Sequence, residues 1–145
     1  MKKNQFKAVI NAPTEKVWNT LWNDATYREW TSVFSEGSHA QTDWKKGSKV
    51  LFLDNKNCGM VSRIADLKEN EFMSFEHLGE VQDGVEVTDP AKQSWSGSLE
   101  NYTLRPLDGK TELIIDMDIS GDWADYFAKT WPLALDKIKH AAERN

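Results

Sequence analysis

Glu100, Tyr102 and His77 are the residues best suited to proton chemistry in this chain, and they fall on two stretches of alternating polarity, Phe72–Glu80 and Ser94–Pro106. Successive side chains of a strand point to opposite faces, so Glu100, Tyr102 and Leu104 share one face of their strand while Met73, Phe75 and His77 share one face of theirs. A turn sets which face is inward. If Asp108-Gly109 forms a two-residue type I′ turn, Leu107 faces Lys110 and the later pairs follow: Leu104 with Leu113, Tyr102 with Ile115, Glu100 with Met117. The opposite face then pairs Arg105 with Glu112 and carries Asp116 and Asp118 outward. Glu100 is thereby placed among apolar neighbours, where a carboxylate needs a hydrogen-bonding partner or a proton. It can serve as a general acid or as a polar anchor for a ligand. It can equally bond His77 or Tyr102 and satisfy a polar spot in a filled core.

Other chemistries find less support. The chain has no Gly-rich phosphate loop, no paired-cysteine zinc spacing and no nucleophile elbow, so neither cofactor nor metal is implied. His39 and His140 stand too far along the pattern to join His77 in a metal set. Asp83, Glu86 and Asp89 lack the alternating ligands and closing Glu of a calcium loop and read as a solvated acidic segment. Cys58, the single cysteine, precedes Gly59 at a turn without a neighbouring histidine or cationic cluster, so an inert thiol is expected. One cysteine forms no intramolecular disulfide, which fits a cytoplasmic chain. A formal charge of −5 argues against nucleic acid or an anionic membrane as partner. Neither a signal-peptide core nor a run of ~20 apolar residues is present, so a soluble, full-length protein is expected.

The elements that position these residues can be read in order. With 145 residues, 39% hydrophobic, and seven tryptophans, the chain suits one domain, 1–145, with a substantial core or a lined cavity. Phe6–Ile10 reads as a first strand. Pro13 opens a helix that Thr14 caps, with Val17, Trp18, Leu21 and Trp22 on one stripe. A second short helix, Asp24–Trp30, is capped by Asp24 or Asn23. Six strands follow in antiparallel order: Ser35–Thr42, Lys49–Leu53, Gly59–Lys68, Phe72–Glu80, Ser94–Pro106 and Thr111–Ser120. Val81–Gln93 interrupts the pattern and reads as a mobile loop. A final helix, N-capped by Asp122, runs to about Arg144 with Trp123, Phe127, Trp131, Ala134, Leu135, Ile138 and Ala142 inward. Pro132 interrupts its hydrogen bonding. The class is α+β, a curved seven-stranded antiparallel sheet around a long C-terminal helix, with two short helices after the first strand.

This order resembles the helix-grip fold of the SRPBCC superfamily, which includes START and birch-pollen-allergen-like proteins. Ile10-Asn11-Ala12-Pro13 with Val17-Trp18, Trp30-Thr31, Asp43-Trp44 with Gly47-Ser48, Gly59-Met60-Val61, Phe75-Glu76-His77-Leu78-Gly79, Glu100-Asn101-Tyr102, and Trp131-Pro132 with Ala134-Leu135 are similar to bacterial homologues of the activator of heat-shock protein 90 ATPase. The resemblance spans nearly the whole chain and implies a cavity between sheet and long helix that holds small apolar or amphipathic molecules. It also implies a chaperone as a second kind of partner. In the eukaryotic co-chaperone a separate N-terminal domain makes the principal contact with the chaperone, and this chain begins directly with the grip domain, so little ATPase stimulation is expected.

Three functions follow as expectations. The first is a non-catalytic carrier of a small hydrophobic or aromatic ligand, lined by Phe75, His77, Glu100, Tyr102, Ile115, Met117, Phe127 and Trp131. The second is a protein-interaction module acting on a chaperone. The third is a cyclase- or hydrolase-type enzyme using Glu100, His77 and Tyr102.

Overall fold

The structure, a computed structural model, describes residues 2–87, 97–119 and 121–144. Period-two alternation becomes strands β1 (Lys2–Ile10), β2 (His39–Gln41), β3 (Lys49–Leu53), β4 (Gly59–Lys68), β5 (Phe72–Gln82), β6 (Val85–Val87), β7 (Leu99–Leu107) and β8 (Lys110–Ile119). The 3.6-residue stripes become helices α1 (Thr14–Trp22), α2 (Asp24–Thr31) and α3 (Gly121–Glu143). The strands form one curved antiparallel sheet ordered β1-β8-β7-β5-β4-β3-β2, with β6 added on β5. The first strand closes against the last, Phe6 opposite Ile115 and Ile10 opposite Thr111. The long α3 packs on β1, α1 and α2.

The turn at Asp108-Gly109 behaves as its chemistry requires. Both residues have positive φ, 51° and 81°, which type I′ geometry demands and which Asp tolerates and Gly adopts without cost. Leu104 then meets Leu113, Tyr102 meets Ile115, Glu100 meets Met117, and Arg105 meets Glu112. The same chemistry recurs at Asp83-Gly84, with φ of 49° and 82°. There it corrects the expectation of a loop over Val81–Gln93. Val81 and Gln82 extend β5, and the turn folds Val85–Val87 back on it as an eighth strand. Residues 88–93, and Ser94 to Ser96 of the expected fifth strand of the series, lie outside the described residues.

Several boundaries also differ from expectation. The stretch Ser35–Thr42 contributes only the three residues of β2, because Gly37 sits at φ 73° and bends the approach. Thr14 does not cap α1; it is already helical, and Pro13 takes the N-cap position without a side-chain bond. At α2 the cap is Asn23, whose side chain accepts from Ala25 N–H at 3.1 Å, leaving Asp24 to pair with Arg28. Helix α3 begins at Gly121, so Asp122 lies within its first turn. Trp123 is not in the core but 54% exposed. It stands eight residues before the buried Trp131, which at 3.6 residues per turn rotates it roughly 80° off that face, and Ala124 takes the inward position instead.

Candidate ligand-binding cavity

Glu100 reaches the interior because its strand is held from both sides, opposite Met117 of β8 and opposite Phe75 of β5. His77 follows two residues after Phe75 on the same face. Its backbone is clamped to the start of β7, donating to Ser98 O at 2.9 Å and accepting from Gly97 N–H at 2.7 Å. Across β4 a register slip decides the third partner. Val61 pairs with Gly79 but Ser62 pairs with His77, so Leu78 is an extra residue in β5.

The four side chains form one hydrogen-bonded row. Ser62 Oγ lies 2.7 Å from His77 Nδ1, and His77 Nε2 lies 3.1 Å from Glu100 Oε1. Tyr102 donates its hydroxyl to Glu100 Oε2. With the imidazole proton on Nε2, the ring donates to Glu100 and accepts from Ser62, so a single neutral tautomer satisfies both contacts. Ser62 is fully buried, and the side chains of His77 and Glu100 are 8% and 17% exposed. Burial pushes the Tyr102 phenol well above its ordinary range, and the Glu100 charge and hydrogen bond add to that. Tyr27 on α2 is raised likewise, by burial first and then by Glu100.

Glu100 and His77 border a cavity of about 300 Å³. Its walls are largely aromatic: Trp22, Tyr27, Trp30, Phe34, Phe52, Phe75, Tyr102, Phe127 and Trp131. These rings brace one another edge to face, Trp22 on Tyr102 at 4.9 Å, Phe52 on Phe75 at 5.0 Å and Phe34 on Trp131 at 5.0 Å between centroids. Trp131 donates its indole N–H to Met117 Sδ at 3.0 Å, and Trp30 donates to Leu21 O at 3.1 Å. Trp22 finds no such partner; its buried indole N–H has no acceptor among the described residues. Polar wall residues include Ser35, Ser38, Asp54 and Cys58. Two backbone N–H groups, of Lys56 and Cys58, hold the Asp54 carboxyl below its usual range. Gly59 is required beside them, because a Cβ there would come within 1.8 Å of the Phe52 carbonyl oxygen.

Of the residues expected to line a ligand site, the structure brings seven together around this space: Phe75, His77, Glu100, Tyr102, Met117, Phe127 and Trp131. Ile115 has no part in the wall; it is fully buried in the core behind Phe6 and Tyr102. The expected alternatives for Glu100 also merge, since it borders the cavity and bonds both His77 and Tyr102. The remaining histidines stay apart, His39 bonded to Gly37 O and His140 beside Asp136. Glu86 pairs with Lys49 at 2.9 Å, and Asp89 lies outside the described residues. Ser62, Trp22, Tyr27, Trp30, Phe34 and Phe52 were not among the expected site residues. The helical stripe and the Tyr27–Trp30 spacing were the available signals for three of them, Trp22, Tyr27 and Trp30; the Ser62 contact had none.

A curved antiparallel sheet gripping a long C-terminal helix, with a cavity between them, is the architecture of the SRPBCC superfamily. Within it, the model of the family described as Activator of Hsp90 ATPase homolog 1-like protein matches residues 11–143, and the chain belongs to that family. Among solved structures, the Aha1 dimer from Colwellia psychrerythraea superposes with a TM-score of 0.76 at 20% identity, covering 99% of this chain and 97% of that one. An AHSA1-like protein from Aeromonas hydrophila gives 0.70 at 15%, covering 98% and 92%. A protein of the dynemicin biosynthetic locus gives 0.74 at 12%, covering 99% of this chain and 48% of its own. At these identities the likeness is one of fold. No curated protein sequence matches the chain. Among the described residues, no helix is long and apolar enough to cross a membrane.

Proposed function

We propose that the chain is a non-catalytic binding or carrier protein that holds a small hydrophobic or aromatic molecule in the cavity between sheet and α3. The observation that carries this reading is the cavity itself, about 300 Å³ with a mainly aromatic wall. An apolar space of ~150 Å³ already accepts benzene, so this one suits a molecule of one or two rings. Apolar walls with a few convergent polar groups are the usual make-up of small-molecule sites. Native mass spectrometry of freshly purified protein tests it together with titration of a hydrophobic fluorescent probe. Binding of one probe per chain, abolished by a bulky residue at Phe75 or Phe52 that fills the space, is expected. Absence of both a co-purified molecule and saturable probe binding would sink it.

A second reading, a protein-interaction module acting on an Hsp90-type chaperone, is supported by family membership. Saturable, several-fold stimulation of a purified Hsp90 ATPase by this chain would move it to first place. An enzymatic reading gains less. Glu100, His77 and Tyr102 are committed to one another, and Ser62, the hydroxyl on His77, is fully buried and not part of the cavity wall, so no substrate reaches it as it stands.

A further inference from the structure

Resting on the carrier reading above, the charge of the cavity wall narrows the ligand class. Its charged side chains among the described residues are two carboxylates, Glu100 and Asp54, and no lysine or arginine joins them. A carboxylate offers about four lone-pair positions; Glu100 uses two, for His77 and Tyr102. His77 Nε2 donates one hydrogen bond to Glu100 Oε1, which leaves the remaining lone-pair positions of the carboxylate to a ligand. The same cavity is lined by the rings of Trp22, Tyr27, Phe75 and Trp131, and the π faces of such rings attract cations. Tyr27 also lines the space, and Glu100 is near enough to disfavour its ionisation. We propose that the ligand is an amphipathic organic amine, its apolar body against the aromatic wall and its ammonium N–H groups donated to Glu100. A fatty acid or other anionic ligand would instead bring like charge against Glu100 and Asp54, and no lysine or arginine of the described wall compensates it. A neutral aromatic would fill the same volume and leave the spare carboxylate positions unused. Burying an ammonium costs solvation, and the charge-assisted bond to Glu100 with the surrounding π faces offsets it.

Isothermal titration of the full chain at neutral pH with naphthylethylamine, naphthylethanol and naphthylacetate tests this, because the three share a body and differ in head-group charge. The amine is expected to bind tightest, about tenfold better than the alcohol, with the acetate weakest. In Glu100→Gln the advantage of the amine over the alcohol should disappear. If the alcohol binds and the amine is no tighter, or the acetate is tightest, the amine assignment is overturned and the carrier reading stands. An amine preference that survives Glu100→Gln also overturns the assignment. If none of the three binds, the amine assignment is overturned, and the carrier reading is decided separately by native mass spectrometry and the fluorescent probe. Should Glu100→Gln not fold, the order of the three probes on the native chain decides the question alone.

Discussion

The core of this protein is built differently at its two ends. In the C-terminal half of α3, Ala134, Ile138 and Ala142 belong to the same buried cluster as Ile10, Val17, Leu21 and Leu113, all wholly buried and none bordering the cavity. Branched aliphatic side chains of this kind interdigitate to the density of an organic crystal. Toward the N-terminal half of α3, Phe127 and Trp131 meet Trp30, Phe34 and Tyr102, and Trp22 in turn packs on Tyr102. Rigid rings in edge-to-face arrangement cannot fill every gap, and the space they leave holds the carboxylate of Glu100. Chain ends tie down the aliphatic end from outside: Glu143 accepts from Asn11 N–H at 2.9 Å, and Arg144 forks onto Glu29. One region thus supplies stability by close packing, and the other keeps a void whose cost the first region must offset.

Five measurements would break or sharpen that contrast. Trp131→Ala should be the most damaging, at ~3–5 kcal/mol by chemical unfolding, and should weaken probe binding as well, because Trp131 is both core and cavity wall. Ile138→Ala should cost ~2–5 kcal/mol yet leave probe affinity within experimental scatter; a parallel loss of binding would erase the division between the ends. Glu100→Gln should cost ~1–3 kcal/mol, since an amide replaces one of the two acceptor oxygens serving His77 and Tyr102 with a donor. An unchanged unfolding midpoint would show that the row of hydrogen bonds adds nothing to the cavity end.

The fourth measurement is alkaline stability. Tyr27 and Tyr102 are raised by burial in the folded protein, so the native state keeps protons that the unfolded chain loses above a pH of ~10. Stability from these phenols is therefore full below that pH and declines above it, by roughly 1.4 kcal/mol per pH unit for each tyrosine. Unfolding midpoints taken across this range should fall, and Tyr27→Phe should flatten the slope. The smallest effect is expected at Trp22→Phe, within ~1 kcal/mol of the parent. The indole is 7% exposed and its N–H has no acceptor, so removing an unpaired donor offsets part of the lost ring area. A large loss there would mean that the N–H is held by the faces of Tyr102 or Phe75.

Local chemistry made much of this readable. Asp108-Gly109 is a turn whose dihedrals are dictated by its two residues, and a turn of known type propagates its register strand-long, so Glu100 could be placed inward without reference to any distant element. The aromatic spacing on α3 located Phe127 and Trp131 for the same reason, and failed at Trp123 because the apolar face is limited in width and Ala124 occupied it. The loop expected over Val81–Gln93 hid a strand, since Val85–Val87 is too short for alternation to show and needs β5 beside it to form. Ile115 shows the limit of pattern reading in another way. Periodicity marks a residue as inward, but whether inward means wall or filling depends on what stands opposite.

Turn residues and periodicity by themselves determined the α+β class, the order of the helices and of every strand but β6, the pairing of β7 with β8 and the inward direction of Glu100, because each is settled by residues close in the chain or by a rule of period two. The tertiary structure alone decided the rest. The extra residue Leu78, which brings Ser62 against His77, exists only as a relation between two strands. The cavity exists because rings from α1, α2, β3, β5, β7 and α3 meet at fixed angles, and the volume they fail to fill is a property of their joint placement, not of any one segment.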